Sequence, residues 1–351
     1  MLRITIYAVG EGDCILVQLP DGRVGLVDCC VPPWSNEPPP LRDIRALGGR
    51  LDFVCLTHAH HDHYGGLLEL ITKYEVELKE FWHPFESNLY EVVRSRCFVP
   101  SYAHASSILS VLDYETRRTE FVRLMDVVRS LPRGSERFLI EGRSVNPKGV
   151  SYEISVLGPT DADMVKYTRR LREAWVQKRE PESAWENEVS GILLVRYGQA
   201  RILLGGDALE SNWRQVAEGG KLRSAGDLAH CYKASHHGSG TSFYDGMWSD
   251  ILVDGGTVVV SAGGSRLASK RFVMAVPRDH VLHCTGKGPY CYEPSGQPAF
   301  RHLDGLSRDE DTAECYGQVK IEVDEESHVS ITTARSPSRE ELNCRERGLS
   351  S

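Results

Sequence analysis

Residues 51–63 constrain this chain more than any other stretch. Leu51-Asp52-Phe53-Val54-Cys55-Leu56 reads as a buried strand, and it runs without a turn into Thr57-His58-Ala59-His60-His61-Asp62-His63. Gly65-Gly66 follows and opens a helical pattern. His58, His60, Asp62 and His63 are potential metal ligands packed into a single loop. Imidazole nitrogen and carboxylate oxygen suit Zn²⁺, and also Mn²⁺ or iron. From an extended segment His58 and His60 can point the same way, while Asp62 and His63 turn toward a neighbouring ion. A solvated His-rich turn needs neither a buried strand before it nor a glycine pair and helix after it. His61 sits between the spaced ligands and reads as a non-ligand.

Two later stretches have the same strand-then-ligand character. Ile202-Leu203-Leu204-Gly205-Gly206-Asp207 is a strand ending in an acid, and Tyr232-Lys233-Ala234-Ser235-His236-His237-Gly238-Ser239 is a strand ending in His-His-Gly. Alone, each is weak: strand-Gly-Asp turns are common, and an isolated His pair is more often a surface turn. Their order along the chain gives them weight.

That order resembles the metallo-β-lactamase superfamily. The resemblance implies an α/β fold, the four-layer αββα sandwich, with two divalent ions (Zn²⁺ or Mn²⁺) at one edge. It implies that His58, His60, Asp62 and His63 are metal ligands and that Asp207 bridges both ions. One of His236 and His237 would complete the second site; the other would bond the substrate phosphate or act as general acid. Asp62, Asp207, His236 and His237 are then the catalytic candidates. Within the superfamily, Ala8-Val9-Gly10-Glu11-Gly12-Asp13-Cys14-Ile15-Leu16-Val17 and Gly25-Leu26-Val27-Asp28 are similar to the metallo-β-lactamase domain of ComEC DNA-uptake proteins. Asn187-Glu188-Val189-Ser190, the His-His-Gly-Ser block, Cys284-Thr285 and a final hairpin follow that pattern too. The membrane channel of ComEC is absent here, so the chain reads as a soluble relative. Teichoic-acid phosphocholine esterases share these motifs, which leaves the substrate open.

One departure matters. Superfamily members with a complete first site have a third histidine before the bridging Asp. His83 follows the first motif too closely, and His104 lies in a helical insert, so both read as non-ligands. Site one is then left with His58, His60 and Asp207, and Asn187 or Ser190 lines that side. An open position is what a catalytic metal requires. Metal-bound histidines hand their other N–H to a carboxylate or carbonyl, and Asp28 and Asp13 are the candidates. Lys233, Ser239 and Thr241, with Asn187 and Ser190, are the candidate substrate contacts.

The expected activity is metal-dependent hydrolysis of a phosphodiester, with DNA as the favoured substrate, in phage defence or DNA processing. A small-molecule or nucleotide phosphodiesterase and a non-catalytic binding module with a vestigial site are the alternatives. A net charge of −8 argues against a surface coated in basic patches. The basic run over 161–180, with Lys166, Arg169, Arg170, Arg172, Lys178 and Arg179, could guide a polyanion, although such a run is more often a helix's wet face. A protein partner from the same operon is a further expectation, and the oligomeric state is open.

The remaining sequence sets the frame. Hydrophobic content of 41% and charged content of 26% are those of a folded globular chain. No signal-peptide start and no membrane-span-length apolar run are present, so the expected location is cytoplasmic, with no membrane partner. The ten cysteines include no Cys-x-x-Cys pair and read as reduced core residues, Cys29-Cys30 being the pair nearest the motifs. The expected organisation is one domain over 1–335, with a helical insert at about 88–150, a loop insert at about 286–314 and a disordered tail at 336–351.

Overall fold

The computed structural model describes residues 1–85, 108–144, 150–177, 179, 182, 184–222, 228–262, 268–286 and 318–334. Among these, two sheets organise the chain. The first contains β1 (Leu2–Tyr7), β2 (Ile15–Gln18), β3 (Val24–Val27), β4 (Arg50–Cys55), β5 (Glu77–His83), β6 (Glu136–Phe138), β13 (Gln318–Val323) and β14 (Val329–Ala334), in the order β14-β13-β1-β2-β3-β4-β5-β6. The second contains β7 (Tyr152–Gly158), β8 (Ile192–Tyr197), β9 (Ala200–Leu204), β10 (Ala229–Lys233), β11 (Leu252–Val260) and β12 (Val281–Cys284), in the order β12-β11-β10-β9-β8-β7. The closing hairpin β13–β14 pairs back onto β1, with Leu2 opposite Val323.

Strand side chains alternate between faces, and a sheet covered on both faces reads as a continuous apolar run. That explains the runs that the sequence presents. In the first sheet Phe53 and Cys55 face the second sheet, while Val54 and Leu56 face outward. In the second, Ile202 and Leu204 face the first sheet and Leu203 faces outward. The space between the sheets is filled by residues such as Ile4, Ile6, Val17, Trp82, Ile154, Leu193, Cys231 and Ile321. Phe53 and Trp82 stack there with ring centroids 4.4 Å apart.

Helices cover both outer faces. On the first sheet lie α1 (Leu41–Ala46), α2 (His61–Tyr64), α3 (Leu67–Thr72), α4 (Ile108–Ser130) and α5 (Asp161–Val176), through residues including Ile44, Leu67, Leu124 and Leu171. On the second lie α7 (Glu210–Glu218), α8 (Met247–Ile251) and α9 (Lys270–Ala275), through Trp213, Trp248 and Phe272. The short α6 (Ala184–Glu188) precedes β8. Helix, sheet, sheet, helix is the four-layer αββα sandwich that the resemblance implies.

The structure refines several sequence expectations. The helical pattern over 64–78 divides into α2, α3 and the start of β5, because Gly65-Gly66 separates the two short helices. The stretch over 88–134 contributes α4, and the expected insert also contains β6, which extends the first sheet beside β5. Residues 86–107, 287–317 and 335–351, which include most of the expected loop insert and the expected tail, lie outside the described residues. No described helix is long and apolar enough to cross a membrane.

Candidate metal centre

The site collects at the ends of strands from both sheets. β4 leads into Thr57–His63, and β3, parallel to it, ends at Asp28. β9 leads into Gly205-Gly206-Asp207, and β10, parallel to β9, leads into Ala234–Gly238. The loop between β1 and β2 brings Asp13, whose backbone N–H bonds the Asp62 carbonyl at 3.1 Å. This approach needs glycine at position 12, where a Cβ would sit 2.6 Å from the Asp62 carbonyl oxygen. The two turns of the second sheet are tied together by the His236 amide, which donates to the Gly206 carbonyl at 2.9 Å.

His236 and His237 both adopt the left-handed backbone region, with φ of 48° and 52°. For residues with a Cβ this costs about 1–2 kcal/mol each. Strain of this kind persists where the surroundings over-determine it, and it gathers at functional sites. Here it brings both imidazoles over Asp207.

Four side chains converge tightly. His63 Nε2 lies 3.3 Å from Asp207 Oδ1 and 3.9 Å from Asp62 Oδ2; His237 Nε2 lies 3.5 Å and 3.6 Å from the same two oxygens. Ligands sharing one tetrahedral zinc at about 2.0–2.2 Å sit about 3–4 Å from each other. The other oxygen of Asp207 faces the first motif, with Oδ2 3.7 Å from His58 Nε2. His58 Nε2 in turn lies 2.9 Å from His60 Nδ1. Asp207 thus presents one oxygen to each set, as a bridging ligand does.

The donor chemistry fits a metal. His63 Nε2, His237 Nε2, Asp207 Oδ1 and Asp62 Oδ1 are buried without a hydrogen-bond partner. Orphaned buried polar atoms are rare, and they indicate a group that the side chains themselves do not supply. Burial alone would raise the acids, but the neighbouring His63 and His237 outweigh it and hold Asp62 at about 2 and Asp207 well below the usual carboxylate range. Burial would lower His63 and His237, yet Asp207, with Asp28 on His63 and Asp62 on His237, raises both. An ion entering here therefore displaces protons, as metal binding to imidazole commonly does. His58 and His60 are lowered, chiefly by burial.

Behind the ligands lies an ordered outer layer. Asp28 Oδ2 accepts from His63 Nδ1 at 2.7 Å and from the Thr57 hydroxyl at 2.7 Å. Asp13 Oδ1 stands 3.7 Å from His237 Nδ1. The Ser190 hydroxyl accepts the Asp207 amide at 2.8 Å and lies 3.4 Å from His58 Nδ1. Ser190 can approach so closely because Gly206, at φ 50°, has no Cβ; one there would meet the Ser190 hydroxyl at 2.5 Å. Asn187 is buried on the same side with its Oδ1 unpartnered.

The geometry separates the two adjacent histidines. His237 joins Asp62, His63 and Asp207, whereas His236, 28% exposed and 3.9 Å from Asp207 Oδ2, lies at the rim. Two of the expected substrate contacts are fully buried. Lys233 is fully buried, and its ammonium is held by Asp13. Ser190 is fully buried as well and ties Asp207 to His58 instead of lining an open face. Ser239 and Thr241 lie beyond His237 on a more open turn, their hydroxyls 3.0 Å apart.

The histidines read as non-ligands have other partners. His61 Nε2 lies 3.2 Å from Glu120 of α4, and His83 Nε2 lies 2.9 Å from Glu136. His104 lies outside the described residues. The cysteines among the described residues are free thiols, and Cys14 and Cys29 are buried with sulfurs 3.8 Å apart. In the basic helix α5, Lys166 and Arg170 both bind Glu188, at 2.6 Å and 2.8 Å.

One residue of the site was not legible in the sequence. Glu186 of α6 is fully buried, with Oε2 4.0 Å from His60 Nε2. Burial pushes its carboxyl up to about 8. In Glu186-Asn187-Glu188 nothing distinguishes it from Glu188, which faces the cations of α5; only burial separates the two.

Residues 7–94 match the family model of the metallo-beta-lactamase superfamily, a span that contains the His58–His63 motif and the Asp13 and Asp28 positions. No curated protein matches the chain. Among solved structures, a mutant of the CmlA β-hydroxylase is similar at 12% identity and a TM-score of 0.46, over 80% of this chain and 52% of that one. CmlA, described as a diiron β-hydroxylase from Streptomyces venezuelae, is similar at 14% identity and a TM-score of 0.41, over 87% of this chain. The chain thus spans about half the length of the CmlA structures, 52% and 50%. The metallo-beta-lactamase fold protein YhfI from Bacillus subtilis is similar at 10% identity and a TM-score of 0.40, over 81% of this chain and 96% of that one.

Proposed function

We propose that this protein is a two-metal hydrolase that cleaves phosphodiesters, with DNA as its substrate. The observation that carries this reading is the placement of Asp207, with one oxygen toward His63 and His237 and the other toward His58. Asp62, His63, His237 and Asp207 would hold one ion, and His58, His60 and Asp207 the other. When bound, such ions supply an activated water and Lewis-acid stabilisation of negative charge on a phosphoryl group.

The chain's own residues supply the rest. Asp28 and Ser190 fix the orientation of His63 and of Asp207, so little reorganisation is left for the moment of reaction. His236, partly exposed at the rim, would meet a phosphate oxygen. Burial lowers its pKa, so near pH 7 the neutral ring offers one N–H to that oxygen, and it would pass a proton to the leaving oxygen only after taking one up. Ser239 and Thr241 supply further hydroxyl donors on the same turn. The likeness of the N-terminal, Asn-Glu-Val-Ser and His-His-Gly-Ser stretches to ComEC is what favours DNA.

The pairing of Lys166 and Arg170 with Glu188 favours a second reading, a small phosphodiester, because it leaves α5 less charge for a polyanion. One assay separates the two. The purified protein is incubated with supercoiled and linear DNA and with bis-p-nitrophenyl phosphate while Mn²⁺ or Zn²⁺ is titrated in. Metal-dependent cleavage of DNA that falls steeply with salt supports the nuclease. Hydrolysis of the small diester alone moves the assignment to the second reading, and hydrolysis of neither overturns both.

A further inference from the structure

The outer layer of the centre follows a pattern. Two of the four imidazoles turn Nε2 toward the centre and rest Nδ1 on an oxygen behind it. For His63 that oxygen belongs to Asp28, at 2.7 Å, while His237 Nδ1 faces Asp13 at 3.7 Å without a hydrogen bond. For His58 the oxygen belongs to Thr57, at 3.1 Å. His60 is reversed: its Nδ1 faces His58 Nε2 at 2.9 Å, so Nε2 is its outward nitrogen. The acid on that side is Glu186, at 4.0 Å.

Glu186 is fully buried, and neither of its carboxyl oxygens has a hydrogen bond. Tyr167 of α5 is also buried and turns its hydroxyl toward the Glu186 carboxyl, short of a hydrogen bond. A carboxyl taken out of water is costly unless it is compensated. An imidazole that binds a metal through one nitrogen presents the other as an N–H, and a carboxylate is its usual acceptor.

We infer that Glu186 is the positioning residue of His60, accepting its Nε2–H and so fixing the ring with Nδ1 toward the first ion. This rests on the metal reading above. At 4.0 Å the pair stands about 1 Å beyond hydrogen-bond length. Glu186 does for the first site what Asp28 does for the second.

The test is calorimetric titration of the chelator-stripped full chain with Zn²⁺, and with Co²⁺ followed by visible absorption. The variants are Glu186→Leu, Glu186→Gln, His60→Ala and His237→Ala. The wild type is expected to bind two ions. Glu186→Leu should weaken one of them by about 10–100-fold, the ion that His60→Ala also weakens, and spare the ion that His237→Ala removes. Glu186→Gln, which keeps an acceptor oxygen, should fall between Leu and the wild type. Wild-type affinity for both ions in Glu186→Leu, or loss of the His237 ion instead, overturns the inference. If Glu186→Leu does not fold, Glu186→Gln decides: an unchanged affinity with an unchanged Co²⁺ spectrum overturns it. A wild type that binds no ion overturns the metal reading itself, before any variant is considered.

Discussion

The carboxylate of Asp28 holds His63 from behind: Oδ2 accepts from Nδ1 at 2.7 Å, while Oδ1 accepts the Thr57 amide at 2.8 Å. Asp28 stands at the end of β3 with φ of 54°, a conformation that turns its side chain under the first motif. Replacement by Asn keeps the shape, removes the charge and leaves an NH₂ facing a donor. Asp28→Asn is expected to weaken metal binding by about 10–100-fold. It should also lower the stability of the stripped protein by about 1.5–3 kcal/mol, the range for hydrogen bonds to charged groups. Titration calorimetry and urea unfolding check both, and unchanged metal affinity would remove Asp28 from its supporting role.

His236 and His237 should behave differently although they are neighbours in sequence. His237→Ala removes a convergent nitrogen, so an ion should be lost and activity with it. His236→Ala should keep both ions and reduce turnover by about 10²–10⁴-fold, the range for a lost proton-transfer group. Metal content and kcat measured side by side on the two variants are decisive. Loss of an ion in His236→Ala would reverse the assignment.

The buried pair Lys233–Asp13 gives a stability prediction. Both side chains are inaccessible, and the ammonium rests directly on the carboxylate. Lys233→Met leaves Asp13 buried without its cation, which should cost about 3–5 kcal/mol. The double variant Asp13→Asn/Lys233→Met should recover part of that loss, because the uncompensated charge is gone. Urea midpoints of the two singles and the double test this; additive losses would mean that the pair is not coupled.

Glu186 sets a pH dependence in the metal-stripped protein. Its folded value, about 8, lies above its ordinary 4.5, so the folded state holds a proton that the unfolded state releases between these values. Its contribution to stability is full below pH 4.5 and declines as pH rises toward 8. Glu186→Gln, neutral throughout, should remove that decline. The stability difference between Glu186→Gln and the wild type should therefore shift in favour of the variant between pH 5 and pH 8. Chemical unfolding at the two pH values reads it, and a parallel pH dependence of the two proteins would refute it.

Much of the fold was legible because burial on both faces writes itself into composition. Phe53–Leu56, Ile202–Leu204 and Val258–Val260 are apolar without interruption, as strands between two covered faces tend to be. The helical layers were less legible where they are short: α8 and α9 have one turn or little more, too few residues for a 3.6-residue period to emerge. β6, with three residues inside a stretch of helical character, gave no strand pattern. Pairing with β5 decides its state, and that is a long-range fact.

At the site, sequence by itself determined the candidate ligand types and the strand ends that carry them. His58, His60, Asp62 and His63 are close in the chain, and their spacing alone implies one centre. Tertiary structure alone decided what no spacing encodes. It set His237 inward and His236 at the rim, through two left-handed residues and a hydrogen bond to Gly206. It buried Lys233 on Asp13, 220 positions away in the chain, and brought Glu186 beside His60. The reason is physical: a ligand's identity is local chemistry, but its direction, burial and partner on the far nitrogen depend on which strands lie beside it, and that is settled only when the two sheets close on each other.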